Sequence, residues 1–170
     1  MHHPLYHPLF VDYCTYFNGN RDYFECHEVL EEYWKIVAPG KKHHPLVGYI
    51  QLATGMYHWR RRNKLGATRM LNKAYQIFRT NTDSIFLEFL DVGQLCEHCL
   101  KCMADIKSDC PFKEFDLPLN NQQLINLVDK QMSLLPKVLD DFLLNKHMLR
   151  DRSDILKARE LKKSMRNKEK

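Results

Sequence analysis

The sequence predicts an all-α protein: a compact multi-helix bundle built on antiparallel helix pairs, with a charged C-terminal helix or tail. Three observations carry this reading. Only six glycines fall in 170 residues, and Leu, Lys, Glu and Met are plentiful, a composition that favours helix. Apolar residues recur at helical spacing in several stretches. One stretch, Leu46 to about Arg61, is apolar on nearly every side of a helical wheel, as a helix buried among others must be. A chain of 170 residues is long enough to bury a core as one domain. We place that domain at residues 1–145 and a basic arm at 146–170.

The elements follow in order. Leu5 to Phe17 reads as a first helix, rich in aromatic residues. Asn18-Gly19-Asn20 is turn chemistry, because these residues tolerate the left-handed backbone. No Gly or Pro follows until Pro39, so a second helix runs from about Asp22 to Val37. On its wheel Cys26, Val29, Leu30, Tyr33, Trp34 and Val37 form an apolar arc, with Glu25, Glu28, Glu32 and Lys35 opposite. His27 and Glu31 share one face at the border of that arc, beside Trp34. Phe24 projects into the charged side, which predicts that this side is also partly covered.

Ala38 to Pro45 is a loop. The Leu46–Arg61 helix then carries its interior polar residues, Gln51, Thr54 and His58, on one stripe flanked by Gly48 and Gly55. Arg60-Arg61-Arg62 ends it, where cations complement the helix dipole. Asn63 is placed to cap the next helix, in which Ala67, Met70, Leu71, Ala74, Ile77 and Phe78 repeat. Asn81 to Ser84 breaks the pattern, and Val92 to Ile106 resumes it with Cys96, Cys99 and Cys102. Pro111 to Pro118 alternates and reads as an extended connector. Asn120-Asn121 starts a helix through Phe142, with Pro136 near a kink. Asp151 to Lys170 is a strongly charged, marginal helix.

One constellation is a candidate site: His27, Glu28 and Glu31 with Gln51 and His58. Short connections make sequential helices antiparallel neighbours, so the polar stripe of the third helix faces His27 and Glu31. A carboxylate and an imidazole at an apolar border need partners. In one reading these groups bind a small ligand or a divalent metal held by His27, Glu31 and His58, as bundle cores hold metals. His27 or His58 would then be the base or ligand, with Glu28 behind them. In the other they are a satisfied buried network. H-E-x-x-E at His27 to Glu31 is not the zinc-protease helix, because Glu31 stands where the second histidine belongs. Cys96, Cys99 and Cys102 lie on a narrow helical stripe. They read as core thiols, or as zinc ligands completed by Cys110 or His98. No Gly-rich phosphate loop, nucleophile elbow or dinucleotide fingerprint is present, so no nucleotide-dependent enzyme is indicated.

The stretch F-N-G-N-R-D-Y-F-E-C-H-E-V-L-E-E-Y-W-K at Phe17 to Lys35 resembles the bacterial domain-of-unknown-function family 309. The likeness continues in G-Y-I-Q-L-A at Gly48 to Ala53 and in Y-H-W-R-R-R-N-K-L-G-A at Tyr57 to Ala67. It spans roughly the first half of the chain. At Arg62 the sequence departs from the family, which usually carries Gly in its R-G-N turn. The resemblance implies a small all-helical fold and a shared polar cluster, and no activity. The segment from Leu46 to Phe78 also faintly echoes a tetratricopeptide hairpin through Gly55, Ala67 and Ala74. No second copy follows, and a solenoid needs about three repeats. That echo and the charged arm motivate the alternative function, a non-enzymatic interaction module that binds a protein partner or a second copy.

The net charge of +5 is uneven. From Lys146 onward ten Lys/Arg face four Asp/Glu, while the first 145 residues hold 16 basic and 17 acidic residues. The basic segment has no aromatic residue, so nucleic acid is not the expected partner. Met1-His2-His3-Pro4 lacks the charged start and apolar run of a signal peptide. The longest stretch free of Asp, Glu, Lys and Arg in the middle of the chain, His43 to Trp59, is too short and polar-edged to span a bilayer. The expected location is the cytoplasm, with six reduced cysteines.

Overall fold

Three His-Pro-Leu triplets start helical segments in the same way. A computed structural model describes residues 3–135 together with 162 and 163. In it the Nδ1 atoms of His3, His7 and His44 accept the backbone N–H groups of Leu5, Leu9 and Leu46, each at 3.1 Å. Proline occupies the first helical position each time, where its missing N–H costs nothing. This chemistry corrects the first expected element. Pro8 forces His7 into an extended conformation, φ −58° and ψ 136°. Leu5 to Phe17 is therefore split into a 3₁₀ turn, Pro4–Tyr6, and a helix α1, Pro8–Thr15.

A π-helical turn, Tyr16–Asn20, follows. The left-handed residue here is Arg21, φ 58°, and not Asn18, Gly19 or Asn20. Gly19 instead lies close to Met132 and Leu135: a Cβ there would stand 2.8 Å from Leu135 Cδ1 and 3.0 Å from Met132 Cγ, and these side chains would have to shift. Helix α2 spans Tyr23–Val37, with Asp22 accepting from Glu25 N at its start. Its buried face is Tyr23, Cys26, Val29, Leu30 and Tyr33. Trp34 is only half-buried, and Val37, at the frayed end, is 40% exposed.

Helix α3, Pro45–Arg60, buries residues on every side, as its composition requires. Helix α4, Lys64–Thr80, is capped by Asn63, whose Oδ1 accepts from Gly66 N. The two form an antiparallel hairpin: the backbone at Gly48 faces Ile77 and Phe78, while that at Gly55 faces Leu71. A Cβ on Gly55 would sit 2.8 Å from Leu71 Cγ and 3.3 Å from the Leu71 backbone N. Glycine therefore sets how closely α3 and α4 approach.

A 3₁₀ turn, Ile85–Leu87, lies in the break after α4, then α5, Val92–Lys107, and α6, Gln122–Ser133. Residues 111–118 take no regular secondary structure, and among the described residues one isolated bridge pairs Leu90 with Leu119. No β-strand occurs among the described residues. Helix α3 packs on α2 and α4, α1 on α2 and α6, and α4 on α5. The expected extension of the last helix to Phe142, its break at Pro136 and the basic arm at 146–170 lie outside the described residues, apart from 162 and 163. No helix among the described residues is long and apolar enough to cross a membrane.

The core is aromatic at its centre. Tyr49 meets the rings of Phe10, Tyr13 and Phe78 edge-on, with centroids 5.1, 5.6 and 5.3 Å away. The Tyr13 hydroxyl donates to the Tyr49 carbonyl at 2.7 Å, and the Tyr49 hydroxyl to the Phe86 carbonyl at 2.8 Å. Both buried phenols are thus satisfied. Burial alone contributes about 1.5–3 kcal/mol for each such large side chain.

Candidate functional site

Glu31 is the first residue to place. Its Oε2 lies 3.4 Å from His27 Nε2, and its Oε1 lies 2.9 Å from Lys35 Nζ. The three positions are successive turns of one α2 face, so helix geometry alone brings them together. The Glu31 carboxylate raises the pKa of the Lys35 ammonium by accepting its hydrogen bond. His27 Nδ1 stands 3.4 Å from Glu28 Oε1. The His27 and Glu31 side chains are about a third exposed, 34% and 33%. The sealed network that the sequence allows is therefore not what α2 builds. A pair this exposed is worth about 0–1 kcal/mol.

Glu31 also borders a cleft of about 660 Å³ between α2, α3 and α4. Its apolar walls are Trp34 from α2, Val47 and Ile50 from α3, and Ile77 from α4. Gln51 enters it from α3, and its Oε1 is buried with no hydrogen-bond partner in the protein. Lys42 and His43 come from the loop before α3, and Lys73, Gln76 and Thr80 from α4. Two contacts hold that loop in place. The Trp34 indole N–H donates to the Lys41 carbonyl at 3.0 Å. The Asn81 amide donates to the His43 carbonyl at 3.4 Å. Among the described residues no carboxylate pairs with Lys42 or Lys73, whereas Glu31 is matched by Lys35 and His27. The unbalanced charge at the cleft is positive.

Of the residues singled out from sequence, Glu31 and Gln51 meet at this cleft. His27 and Glu28 adjoin it through Glu31. His58 is elsewhere: its Nδ1 lies 3.3 Å from Asn63 Nδ2, and burial lowers its pKa, helped by Arg61. The physical reason is register. Helices α2 and α3 run antiparallel, with Glu31 and Trp34 beside Ile50 and Gln51 and Phe24 beside Tyr57 at 6.1 Å. His58 shares the stripe of Gln51 but sits two turns further on, about 10 Å along the axis, opposite the start of α2. No group of three or more His, Cys, Asp or Glu side chains among the described residues is disposed to hold a metal ion. His27, Glu31 and His58 are not brought together as one, and neither are Cys96, Cys99 and Cys102. Cys99 and Cys102 are core residues, and Cys110 is exposed. His98 instead stacks on Phe115 at 4.2 Å.

The apolar repeat of α4 does not by itself announce the polar stripe beside it. Asn72, Lys73, Gln76 and Thr80 flank Ile77 at helical spacing, a signal present in the chain. The turn chemistry of Phe17 to Asp22 also has a role that sequence did not show. Arg21 donates to the carbonyls of Phe17 and Phe115 at 3.1 and 2.8 Å and to Asp116 at 2.6 Å. Asn18 Oδ1 accepts from Leu117 N at 2.8 Å. The turn is a clasp on the 111–118 connector.

A family model described as "Domain of unknown function (DUF309)" matches residues 10–70. The uncharacterized protein YpuF of Bacillus subtilis (strain 168) is 37% identical over 163 residues, covering 92% of this chain and 94% of that protein. No solved structure matches the chain.

Proposed function

The chain belongs to the DUF309 family, whose description assigns no activity, and we propose that it is a cytoplasmic helical protein that binds a small organic ligand in the cleft between α2, α3 and α4. The observation that carries this is the cleft itself, with apolar walls from Trp34, Val47, Ile50 and Ile77 and the cations of Lys42 and Lys73 among its lining. The cleft volume, about 660 Å³, lies in the usual range for small-molecule sites. The cytoplasmic location is supported by six cysteines that form no disulfide.

The test is a fragment screen followed by amide chemical shifts on the full chain. Binders are expected to move the amides of Val47, Ile50, Gln51, Lys73 and Ile77 together. Fragments that leave all five unmoved, or that move only amides elsewhere, overturn the proposal.

A second reading, an interaction module, is favoured by one observation. Leu65 is 73% exposed and stands beside Met103 and Ile106 in a shallow groove between α4 and α5. Light scattering against concentration tests association with a second copy. A mass that rises for the wild type and not for Leu65→Asp supports this reading, and a constant monomer mass removes it.

A further inference from the structure

The connector between α5 and α6 is fastened at its two ends. The Cys110 N–H donates to the Asp105 carbonyl at 2.8 Å. At the far end the Asp91 N–H donates to the Pro118 carbonyl at 2.9 Å, and the Asn120 N–H to the Phe89 carbonyl at 2.8 Å. Between these ends residues 111–117 take no regular secondary structure and lie against an aromatic surface. Phe112 meets Trp59 at 5.1 Å and Tyr23 at 6.2 Å, and Phe115 meets Phe17 at 5.3 Å. We propose that residues 111–117 are a strap that opens as a unit from Phe17, Tyr23 and Trp59 while the helices stay folded, with Arg21 as the latch that holds it shut.

The middle of the strap is held by side chains of one turn. Arg21 Nη1 donates to the Phe115 carbonyl at 2.8 Å and Nη2 to Asp116 Oδ1 at 2.6 Å, while Nε lies 3.3 Å from Glu114 Oε2. Asn18 Oδ1 accepts the Leu117 N–H at 2.8 Å. No regular ladder backs these contacts, so loss of the Arg21 guanidinium releases three of them at once. Glu114 and Asp116 are exposed, 54% and 67%, so the ionic part of the latch weakens as salt rises.

Burial of Phe112, Phe115 and Leu117 favours the closed strap. One group beneath it favours opening. The Tyr23 hydroxyl is buried beside Phe112 with no hydrogen-bond partner in the protein. Buried polar groups are matched in nearly all proteins, and lifting the strap lets water reach this one. The open state therefore lies below global unfolding in free energy, as local openings do.

Native-state amide exchange on the full chain tests the strap. Leu117, whose N–H is held by Asn18, reports the strap, and the amides of Ile50, Leu52 and Ala53 in α3 report the bundle. Leu117 should exchange faster than those three, with little response to dilute denaturant, and faster again as salt is raised. Arg21→Asn keeps a residue that tolerates the left-handed backbone and removes the guanidinium. It should speed Leu117 exchange about tenfold and leave the α3 amides unchanged. Glu114→Gln combined with Asp116→Asn leaves the turn intact and should remove the salt response. Tyr23→Phe should slow Leu117 exchange about tenfold, because the closed state then carries no unmatched hydroxyl. Exchange of Leu117 only together with the α3 amides, at the same denaturant slope, overturns the strap. Arg21→Asn that speeds Leu117 and α3 alike, or a salt response that survives the double variant, overturns the latch. Leu117 exchange that is unchanged or faster in Tyr23→Phe overturns the part given to the hydroxyl.

Discussion

The guanidinium carbon of Arg60 lies 4.7 Å from the centre of the Tyr23 ring, and Arg60 Nη1 donates to the Arg21 carbonyl at 2.8 Å. The C-terminal end of α3 is thereby fastened to the turn that opens α2. The sequence presents Arg60 as one of three dipole-complementing cations, yet it is half-buried against the Tyr23 and Phe112 rings, and burial lowers its pKa. Arg60→Met keeps the apolar stem and loses the rest, so it should destabilise the fold by about 1–3 kcal/mol in urea unfolding. Arg60→Lys should not restore the loss, since an ammonium cannot reproduce the planar fork. Tyr23→Phe should behave oppositely. The Tyr23 hydroxyl is buried without a partner, so its removal keeps the ring and should leave stability unchanged or raise it by about 1 kcal/mol. A clear loss in Tyr23→Phe would refute this account of the cluster.

Arg62 holds φ 64° in the turn between α3 and α4. A non-glycine residue pays about 1–2 kcal/mol for the left-handed region. Arg62→Gly should therefore raise the melting temperature by a few degrees, which follows from about 1 kcal/mol in a domain of this size. Arg62→Val should lower it. A melting temperature that falls for the glycine variant would mean that the Arg62 side chain contributes more than its backbone costs.

Stability should fall between about pH 7 and pH 5, from histidines that resist protonation in the fold. His44 caps α3 by accepting the Leu46 N–H at Nδ1, which a proton there abolishes. Burial lowers its pKa, with Lys41 adding to the effect, and burial likewise lowers those of His58 and His98. The folded pKa values lie below the unfolded one of about 6.5. The stabilisation is fully present above that value and is lost as pH falls toward the folded pKa values. Urea midpoints taken across this range should decline with pH. His44→Asn, a cap that does not titrate here, should flatten the slope. A flat profile in the wild type would refute the capping role.

Thiol chemistry should separate the cysteines by depth. Cys110 is exposed, whereas Cys14, Cys26, Cys99 and Cys102 are buried. Burial pushes the Cys102 thiol up to about 12 and those of Cys14, Cys26 and Cys99 further still. The thiolate is the reactive form. Ellman's reagent at mildly alkaline pH should therefore modify Cys110 rapidly and Cys96 slowly. The other four should react only in denaturant, and rapid release from any of them in the native protein would contradict the packing of the helix that carries it, α1 for Cys14, α2 for Cys26 and α5 for Cys99 and Cys102.

Periodicity made α2, α3, α4 and α5 legible in the sequence, because a helix that buries one face must repeat its apolar residues at the helical spacing. Asn63 was legible as a cap for a similarly local reason. The first helix divides where a local rule acts, since Pro8 disfavours helix at His7. Glu31 and Gln51 stand out in the sequence because both break an apolar pattern. Lys42, in a loop, carries no pattern, whereas Lys73 and Gln76 lie on a polar stripe of α4 that only the neighbouring helices turn into a cleft wall.

What the sequence determined by itself was therefore local: which segments are helical, where α2, α4 and α6 begin, and that Glu31, Lys35 and His27 share one face. The tertiary structure alone decided which polar residues meet. The Gln51 to His58 stripe is continuous along α3, but the antiparallel register with α2 gives Glu31 to Gln51 and leaves His58 to Asn63. It also decided that Gly55 is a spacer and that Arg21, rather than the Asn-Gly-Asn triplet, takes the left-handed conformation. Contacts between elements depend on offset and approach distance, which are set by the packing of whole helices and carry no signature within any one of them.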